Sequence, residues 1–187
     1  GEVGAGIHDY HDIASAHARL RDVTPTSQEG PQQLPSSSGG VQAFKFRDPD
    51  GHPLELLQFP CGKMPGAWRD RRSLDGQIGL GVDHSAISVT DVEASTVFFQ
   101  ALGLSIGERT LNEGPAQQRL DGLPGVKVAV VPMVAHDVTP TLELLGNPIP
   151  IGGRGPPLPG TDIAAPHITW RGLESQQIHD TDGPLHE

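Results

Sequence analysis

The sequence lacks several features that would define its class. It has one cysteine, Cys61, in 187 residues, which excludes an internal disulfide and a zinc site built from cysteines. No apolar run approaches the roughly 20 residues of a membrane span, and the first residues lack the pattern of a signal peptide. Lys and Arg number 13 against 23 Asp and Glu. The resulting net charge of −10 argues against nucleic acid or an anionic membrane as partner. We therefore expect a cytoplasmic protein.

Aromatic residues are also scarce, at 4% of the chain, whereas Gly (24) and Pro (18) are abundant. This composition favours short strands and many turns over long helices. A short helix is predicted over residues 12–20, with Asp12 as its N-cap. Strand patterns follow at 41–47 and 53–59, and the turn residues between them predict a hairpin.

The second half of the chain contains a complete β-α-β-β-β unit. Its helix begins after Asp91 and ends before Gly103. The predicted strands flank this helix, at 83–89, 104–110, 126–132 and 139–145. We predict the following organisation: a partial N-terminal module at 1–60, a linker at 61–81, and a C-terminal domain at 82–187 with a complete module (82–146) and an incomplete one (160–187).

A short phrase occurs twice in the sequence. Residues 48–55 (DPDGHPLE) return near the end as 180–187 (DTDGPLHE), and each copy places a turn before a glutamate. A further acid, Glu143, lies in the apolar run LELL. Glutamate is rarely buried unless it is paired or bound to metal, so such acids in strand-like segments indicate a repeated unit and raise the question of what the acids hold.

Several segments together resemble one known family. They are 82–89 (VDHSAISV), 98–104 (FFQALGL), 46–51 (FRDPDG) and 54–56 (LEL). Their order and spacing resemble the vicinal oxygen chelate superfamily, which includes glyoxalase I, bleomycin-resistance proteins, epimerases and extradiol dioxygenases. The resemblance implies an α+β fold of paired βαβββ modules, whose curved mixed sheets surround a cleft that holds a metal ion.

The resemblance also implies a set of metal ligands on the first and last strands of two modules. Matched by position, these ligands are His84, Glu143, His167 and Glu187. Glu55 also matches a last-strand acid, but no histidine lies in a strand-like segment ahead of it, since His8 and His11 directly precede the helix. We therefore expect Glu55 to be structural or to face solvent.

The last module departs from the family pattern. His84 and Glu143 are 59 positions apart, whereas His167 and Glu187 are separated by only 20. A module with four strands and a helix needs roughly 45–55 residues. The last module is therefore incomplete.

The function implied by the resemblance is that of a metal-dependent lyase or isomerase acting on a small metabolite with adjacent oxygen atoms. A divalent ion (Zn, Ni, Mn, Co or Fe(II)) suits imidazole and carboxylate ligands, and Glu143 or Glu187 would move a proton. Two alternatives stay open: a ring-cleaving dioxygenase that uses His84, His167 and Glu187, and a non-catalytic binding protein of the bleomycin-resistance kind. The expected partner is a small molecule, and a homodimer is compatible with the sequence.

Overall fold

A computed structural model describes most of the first 149 residues and two short pieces near the end. The backbone is described for residues 3–10, 12–69, 79–135, 140–149, 178–179 and 185–186. Side chains are described for residues 12–66, 68, 79–135 and 140–146. No helix within these ranges has the length and apolar character needed to cross a membrane.

Within the described residues, the first structural unit contains one α-helix, a 3-10 helix at Ser36–Ser38 and five strands. Its elements are β1 (Val3–Tyr10), α1 (Ile13–Arg19), β2 (Thr24–Pro25), β3 (Gln32–Gln33), β4 (Gln42–Arg47) and β5 (Pro53–Gln58). Helix α1 begins where the sequence predicts, because Asp12 Oδ1 accepts hydrogen bonds from the backbone N–H groups of Ala14 and Ser15, at 3.1 and 3.2 Å.

A short helix and a strand lead from the first unit to the second. These connecting elements are α2 (Gly66–Arg69) and β6 (Gly79–Val82). The second unit consists of β7 (His84–Val89), α3 (Val92–Ala101), β8 (Ser105–Ile106), β9 (Thr110–Asn112), α4 (Pro115–Asp121), β10 (Lys127–Val134) and β11 (Thr141–Ile149). Two further strands, β12 (Ile178–His179) and β13 (Leu185–His186), pair with each other.

The two units share one mixed sheet in the described part of the chain. Its order is β2-β4-β5-β1-β7-β11-β10-β8. In each unit the opening strand is parallel to the closing strand, β1 with β5 and β7 with β11. The two opening strands, β1 and β7, pair in antiparallel fashion and join the units. The predicted α+β fold, with paired βαβββ modules and a mixed sheet around a cleft, is confirmed.

The alternation of side chains along β7 separates a core face from a cleft face. Ile87 and Val89 are buried in one cluster with Phe99 of α3. Because side chains alternate between the faces of a strand, His84 and Ala86 lie on the opposite face, where they line a cavity. Helix α3 therefore covers the outer face of the sheet and leaves the inner face to the cavity.

The first unit follows the same rule. Phe44 and Phe46 of β4 pack with Ile13 and Ala16 of α1 on the outer face. The residue between the two phenylalanines, Lys45, lies on the opposite face and lines the cavity, to which Phe46 also contributes. Both units thus direct alternate residues of their strands toward one shared space.

The structure contains two elements that the sequence patterns did not indicate. The first module, expected to be partial, has an opening strand, since β1 occupies Val3–Tyr10. Pro115–Asp121, which lie between two of the predicted strands, form the helix α4. This helix has Pro at its start and Gly122 in the left-handed conformation at its C-cap, which are common signals of helix boundaries. The predicted domain boundaries stay predictions.

Candidate metal centre

A cavity of about 410 Å³ lies between the two units. Its volume is typical of sites for small molecules. Strands of both units contribute polar side chains, among them Lys45, Glu55, His84 and Glu143. The cavity is therefore the place where residues from the two modules meet.

His84 and Glu143 lie together on the cavity face of neighbouring parallel strands. The register pairs His84 with Thr141, and Glu143 with Ala86. His84 Nε2 is 3.2 Å from Glu143 Oε2, and their side chains are 9% and 23% exposed. His84 and Glu143 therefore face the same side of the sheet.

The other ring nitrogen of His84 is held by its sequence neighbour. His84 Nδ1 lies 3.0 Å from Asp83 Oδ2 and donates to it, because a carboxylate can only accept. The second oxygen of Asp83 accepts from the indole N–H of Trp68 at 2.6 Å. Trp68 is buried and belongs to α2, within the segment that the sequence analysis treated as a linker.

The surroundings of His84 favour its protonated form. Burial disfavours the charged ring and lowers its pKa, but the charge of Glu143 and the hydrogen bond to Asp83 oppose this effect. The charge of Glu55 acts in the same direction, and the net result is a raised pKa for His84. Three carboxylates therefore act on one imidazole, which makes the site suitable for a cation.

Glu55 is part of this cluster, contrary to the expectation that it is structural or faces solvent. It lies on the cavity face of β5, the closing strand of the first unit, as Glu143 lies on the closing strand of the second. Burial raises the pKa of Glu55, while the charges of Lys45 and His84 lower it. The pKa stays above its ordinary value, so Glu55 holds a proton more readily than an exposed glutamate.

Lys45 supplies a positive charge beside Glu55. The two residues are directly opposite each other on β4 and β5. Lys45 Nζ forms an ion pair of 2.6 Å with Asp121 of α4. Burial lowers the pKa of Lys45, but the charges of Glu55 and Asp121 outweigh it and leave the pKa raised. Lys45 thus links the acidic cluster to α4.

A second contact ties α4 to the first unit. The fully buried Ser27 donates from Oγ to the backbone carbonyl of Leu120 at 2.7 Å. The same hydroxyl accepts from the backbone N–H of Lys45 at 2.9 Å. Since Gln117 and Leu120 both line the cavity, this contact helps to fix one wall of the site.

The two other residues of the predicted metal site, His167 and Glu187, lie outside the described residues, and their assignment as ligands stays a prediction. His8 falls within β1, where the backbone register pairs it with Leu56 of β5. The opening strand of the first unit therefore contains a histidine, although the sequence pattern did not indicate a strand there.

Another group with metal-binding side chains lies on the turn between β4 and β5. Asp48, Asp50 and His52 each offer one ligand atom within 4.8 Å of the others. Asp48 Oδ1 already accepts hydrogen bonds from the backbone N–H groups of Asp50 and His52. The other carboxylate oxygen, Asp48 Oδ2, lies 3.1 Å from His52 Nδ1. These bonds are those of an Asx-type turn.

Sequence reasoning missed the contributions of Glu55, Asp83 and Trp68. Glu55 had a detectable signal, because it occupies the closing-strand position of its module as Glu143 does. Asp83 directly precedes His84 and could have been proposed as its partner. No sequence pattern links Trp68 to Asp83, since this contact depends on how the chain folds back between the modules.

The comparisons with known proteins concern the fold. No protein-family model and no curated protein sequence match the chain. Glyoxalase I from Zea mays matches with 19% identity and a TM-score of 0.47, over 79% of this chain and 43% of that chain. A variant of the maize enzyme matches with 17% identity and a TM-score of 0.46, over 80% and 44%.

A hypothetical protein from Staphylococcus aureus matches with 10% identity and a TM-score of 0.42, over 79% of this chain and 59% of that chain. The chain spans less than half the length of the maize chains that it matches. Strand order and register define the fold of this chain independently of these matches.

Proposed function

We propose that this protein is a metal-dependent member of the vicinal oxygen chelate superfamily. It acts as a lyase or isomerase on a small metabolite with adjacent oxygen atoms. His84 and Glu143 hold a divalent ion, and Glu55 lies beside it in the same cavity. The observation that carries the proposal is the 3.2 Å separation of His84 Nε2 and Glu143 Oε2 at the wall of a cavity of ligand size.

The donor set fits a divalent ion in two respects. Metal–ligand bonds of about 2.0–2.2 Å would place two neighbouring ligand atoms roughly 3 Å apart, and His84 Nε2 and Glu143 Oε2 have such a spacing. A metal-bound histidine usually donates its other N–H to a carboxylate. Asp83 accepts that bond from His84 Nδ1. Imidazole with carboxylates suits Zn, Ni, Mn, Co or Fe(II).

A bound divalent ion would polarise the adjacent oxygens of the substrate and make the neighbouring C–H bond more acidic. The protein supplies the base. Glu55 is suited to this role because burial raises its pKa toward the range in which a carboxylate both accepts and returns a proton. The charge of Lys45 opposes this rise of the pKa. Glu143 is an alternative base, although its Oε2 is already close to His84.

Among the cavity-lining residues that the structure describes, the groups suited to this reaction are His84, Glu55 and Glu143. Ring cleavage is the second candidate, because two histidines and one carboxylate suit it and two of its three residues, His167 and Glu187, lie outside the described part of the chain. We also propose a small-molecule substrate and a cytoplasmic location.

The first test is metal binding. We expect the metal-free protein to take up about one equivalent of Ni²⁺, Mn²⁺ or Zn²⁺ in titration calorimetry, and His84→Gln to lose most of this affinity. His52→Gln is the matched control, because His52 also pairs with an aspartate but lies on the turn outside the cavity. Unchanged binding in His84→Gln with a loss in His52→Gln would place the metal on the turn and reject the proposed centre.

The second test is proton transfer. With metal, the protein should catalyse exchange of solvent deuterium into the C–H groups next to the oxygens of hydroxyacetone or dihydroxyacetone, measured by NMR. Glu55→Gln should abolish exchange while it changes metal affinity less than Glu143→Gln does. Metal and ligand binding without exchange would instead support the non-catalytic binding class.

A further inference from the structure

We propose that Trp68 is a positioning residue that orients the Asp83 carboxylate and, through it, determines which ring nitrogen of His84 faces the cavity. Two hydrogen bonds and one ion-pair contact connect the indole, one after the other, to the cavity. Trp68 Nε1 donates to Asp83 Oδ1 at 2.6 Å, and His84 Nδ1 donates to Asp83 Oδ2 at 3.0 Å. His84 Nε2 then faces Glu143 at 3.2 Å.

Each carboxylate oxygen of Asp83 has its own donor. The indole N–H can only donate, so it holds Oδ1 and fixes the rotation of the carboxylate about its last side-chain bond. Oδ2 is thereby directed at His84 Nδ1, which must carry a proton to satisfy it. The nitrogen that faces Glu143 is then Nε2, the atom that can exchange its proton for a cation.

The indole is well placed for such a role. Trp68 is 2% exposed, and its bond to Asp83 is therefore little disturbed by water. The backbone carbonyl of Asp83 also accepts from the N–H of Thr141 at 3.0 Å, which ties Asp83 to the strand that carries Glu143. The short helix α2 between the two units thus acts as part of the site.

Replacement of Asp83 by asparagine separates positioning from packing. In Asp83→Asn, the Trp68 N–H keeps the amide oxygen on its own side, so the amide NH₂ must face His84 Nδ1. His84 Nδ1 then accepts and loses its proton, and the proton stays on Nε2. We expect the affinity for Zn²⁺ to fall by about 10- to 100-fold, as for the loss of other partners of a metal-binding histidine.

Removal of the indole N–H should reverse this effect. In the double variant Trp68→Phe/Asp83→Asn, the amide is free to rotate and can present its oxygen to His84 Nδ1. The double variant should therefore bind Zn²⁺ more tightly than Asp83→Asn alone and recover most of the lost affinity. Trp68→Phe alone should weaken Zn²⁺ binding only a few-fold, since Asp83 keeps an oxygen on each side.

The test compares these four proteins with Zn²⁺ as the probe, measured in competition with a chelator. The ¹⁵N chemical shift of His84 Nδ1 in the metal-free proteins gives a second readout. Nδ1 should be protonated in the wild type, unprotonated in Asp83→Asn and protonated again to a measurable extent in the double variant. Asp48→Asn is the control, because it alters a similar aspartate–histidine pair outside the cavity and should change neither readout.

The outcomes separate this inference from the proposed function on which its metal consequence rests. If the double variant binds Zn²⁺ more weakly than either single variant and Nδ1 stays unprotonated in it, Trp68 only packs and the inference is rejected. If the Nδ1 pattern holds but the wild type takes up no Zn²⁺, the metal function fails and the positioning role stands. Should Trp68→Phe fold poorly, as judged by amide NMR, the wild-type indole N–H resonance replaces it. That resonance should shift less in Asp83→Asn than in Asp83→Ala.

Discussion

The contact between Ser27 and α4 allows a quantitative prediction. The Ser27 hydroxyl is fully buried and joins two backbone groups, the carbonyl of Leu120 and the N–H of Lys45. The Leu120 carbonyl lies in the last turn of α4, where the usual donor four residues later is Pro124, which has no N–H. Ser27 therefore satisfies a helix-end carbonyl that the helix cannot satisfy itself.

Ser27→Ala removes both hydrogen bonds and leaves both backbone groups enclosed. A typical hydrogen bond contributes about 0.5–1.5 kcal/mol net, and a buried group left without a partner costs about 1–3 kcal/mol. Because the cavity left by one hydroxyl is too small to admit water readily, we expect the free energy of unfolding to fall by about 2–4 kcal/mol. Urea denaturation followed by circular dichroism measures this change.

Ser15→Ala is the matched control. Ser15 lies on the exposed side of α1, where its hydroxyl donates to Asp12. Alanine favours a helix, so this substitution should change stability by no more than about 0.5 kcal/mol. If Ser27→Ala costs as little as the control does, the hydroxyl does not hold the two units together and the reasoning is refuted.

Three further predictions concern packing, capping and pH. A Cβ at Gly146 would lie 2.2 Å from Val92 Cγ2, so Gly146→Ala should cost about 1–3 kcal/mol in urea denaturation; Val92→Ala should restore part of it, and additive effects would contradict the clash. Asp91→Ala should lower the thermal midpoint by an amount equivalent to about 1 kcal/mol, because Asp91 caps α3; no change would argue against the cap. His84 and Glu55 both have raised pKa values, so the folded metal-free protein binds protons more tightly than the unfolded chain. The ordinary pKa values of Glu55 and His84 are 4.5 and 6.5. As the pH rises above each of these values, the contribution of that residue to stability should be lost, so the urea midpoint should fall. A rise of the midpoint over this pH range would contradict the raised pKa values.

Much of the fold could be predicted from local patterns. The strands β4, β5 and β7 and the helices α1 and α3 were predicted within a few residues, because apolar periodicity and aspartate caps are local signals. Helix α4 was missed because its seven residues include few apolar ones. Its stability comes from contacts such as that of Asp121 with Lys45, on a strand distant in sequence.

The candidate site was only partly predictable for a similar reason. His84 and Glu143 could be paired because they occupy the opening and closing strands of one recognisable module. Glu55 was set aside because no opening strand was visible ahead of it, and that strand, β1, owes its place to partners on both sides, β5 and β7. The sequence alone does not contain these pairings. The predicted roles of His167 and Glu187 stay predictions.

The parallel pairing of opening and closing strands has a consequence for how the protein folds. Strand β7 pairs with β11 from His84 opposite Thr141 to Val89 opposite Gly146, so each residue pairs with one that lies 57 positions later in the chain. Each unit must therefore close a long segment before its first strand gains its parallel neighbour, and contacts so distant in sequence slow folding. On the ribosome, β7 would emerge well before β11 and would depend on β1, already synthesised, to cover its other edge. The first unit would thereby provide the strand on which the second unit begins to form its sheet.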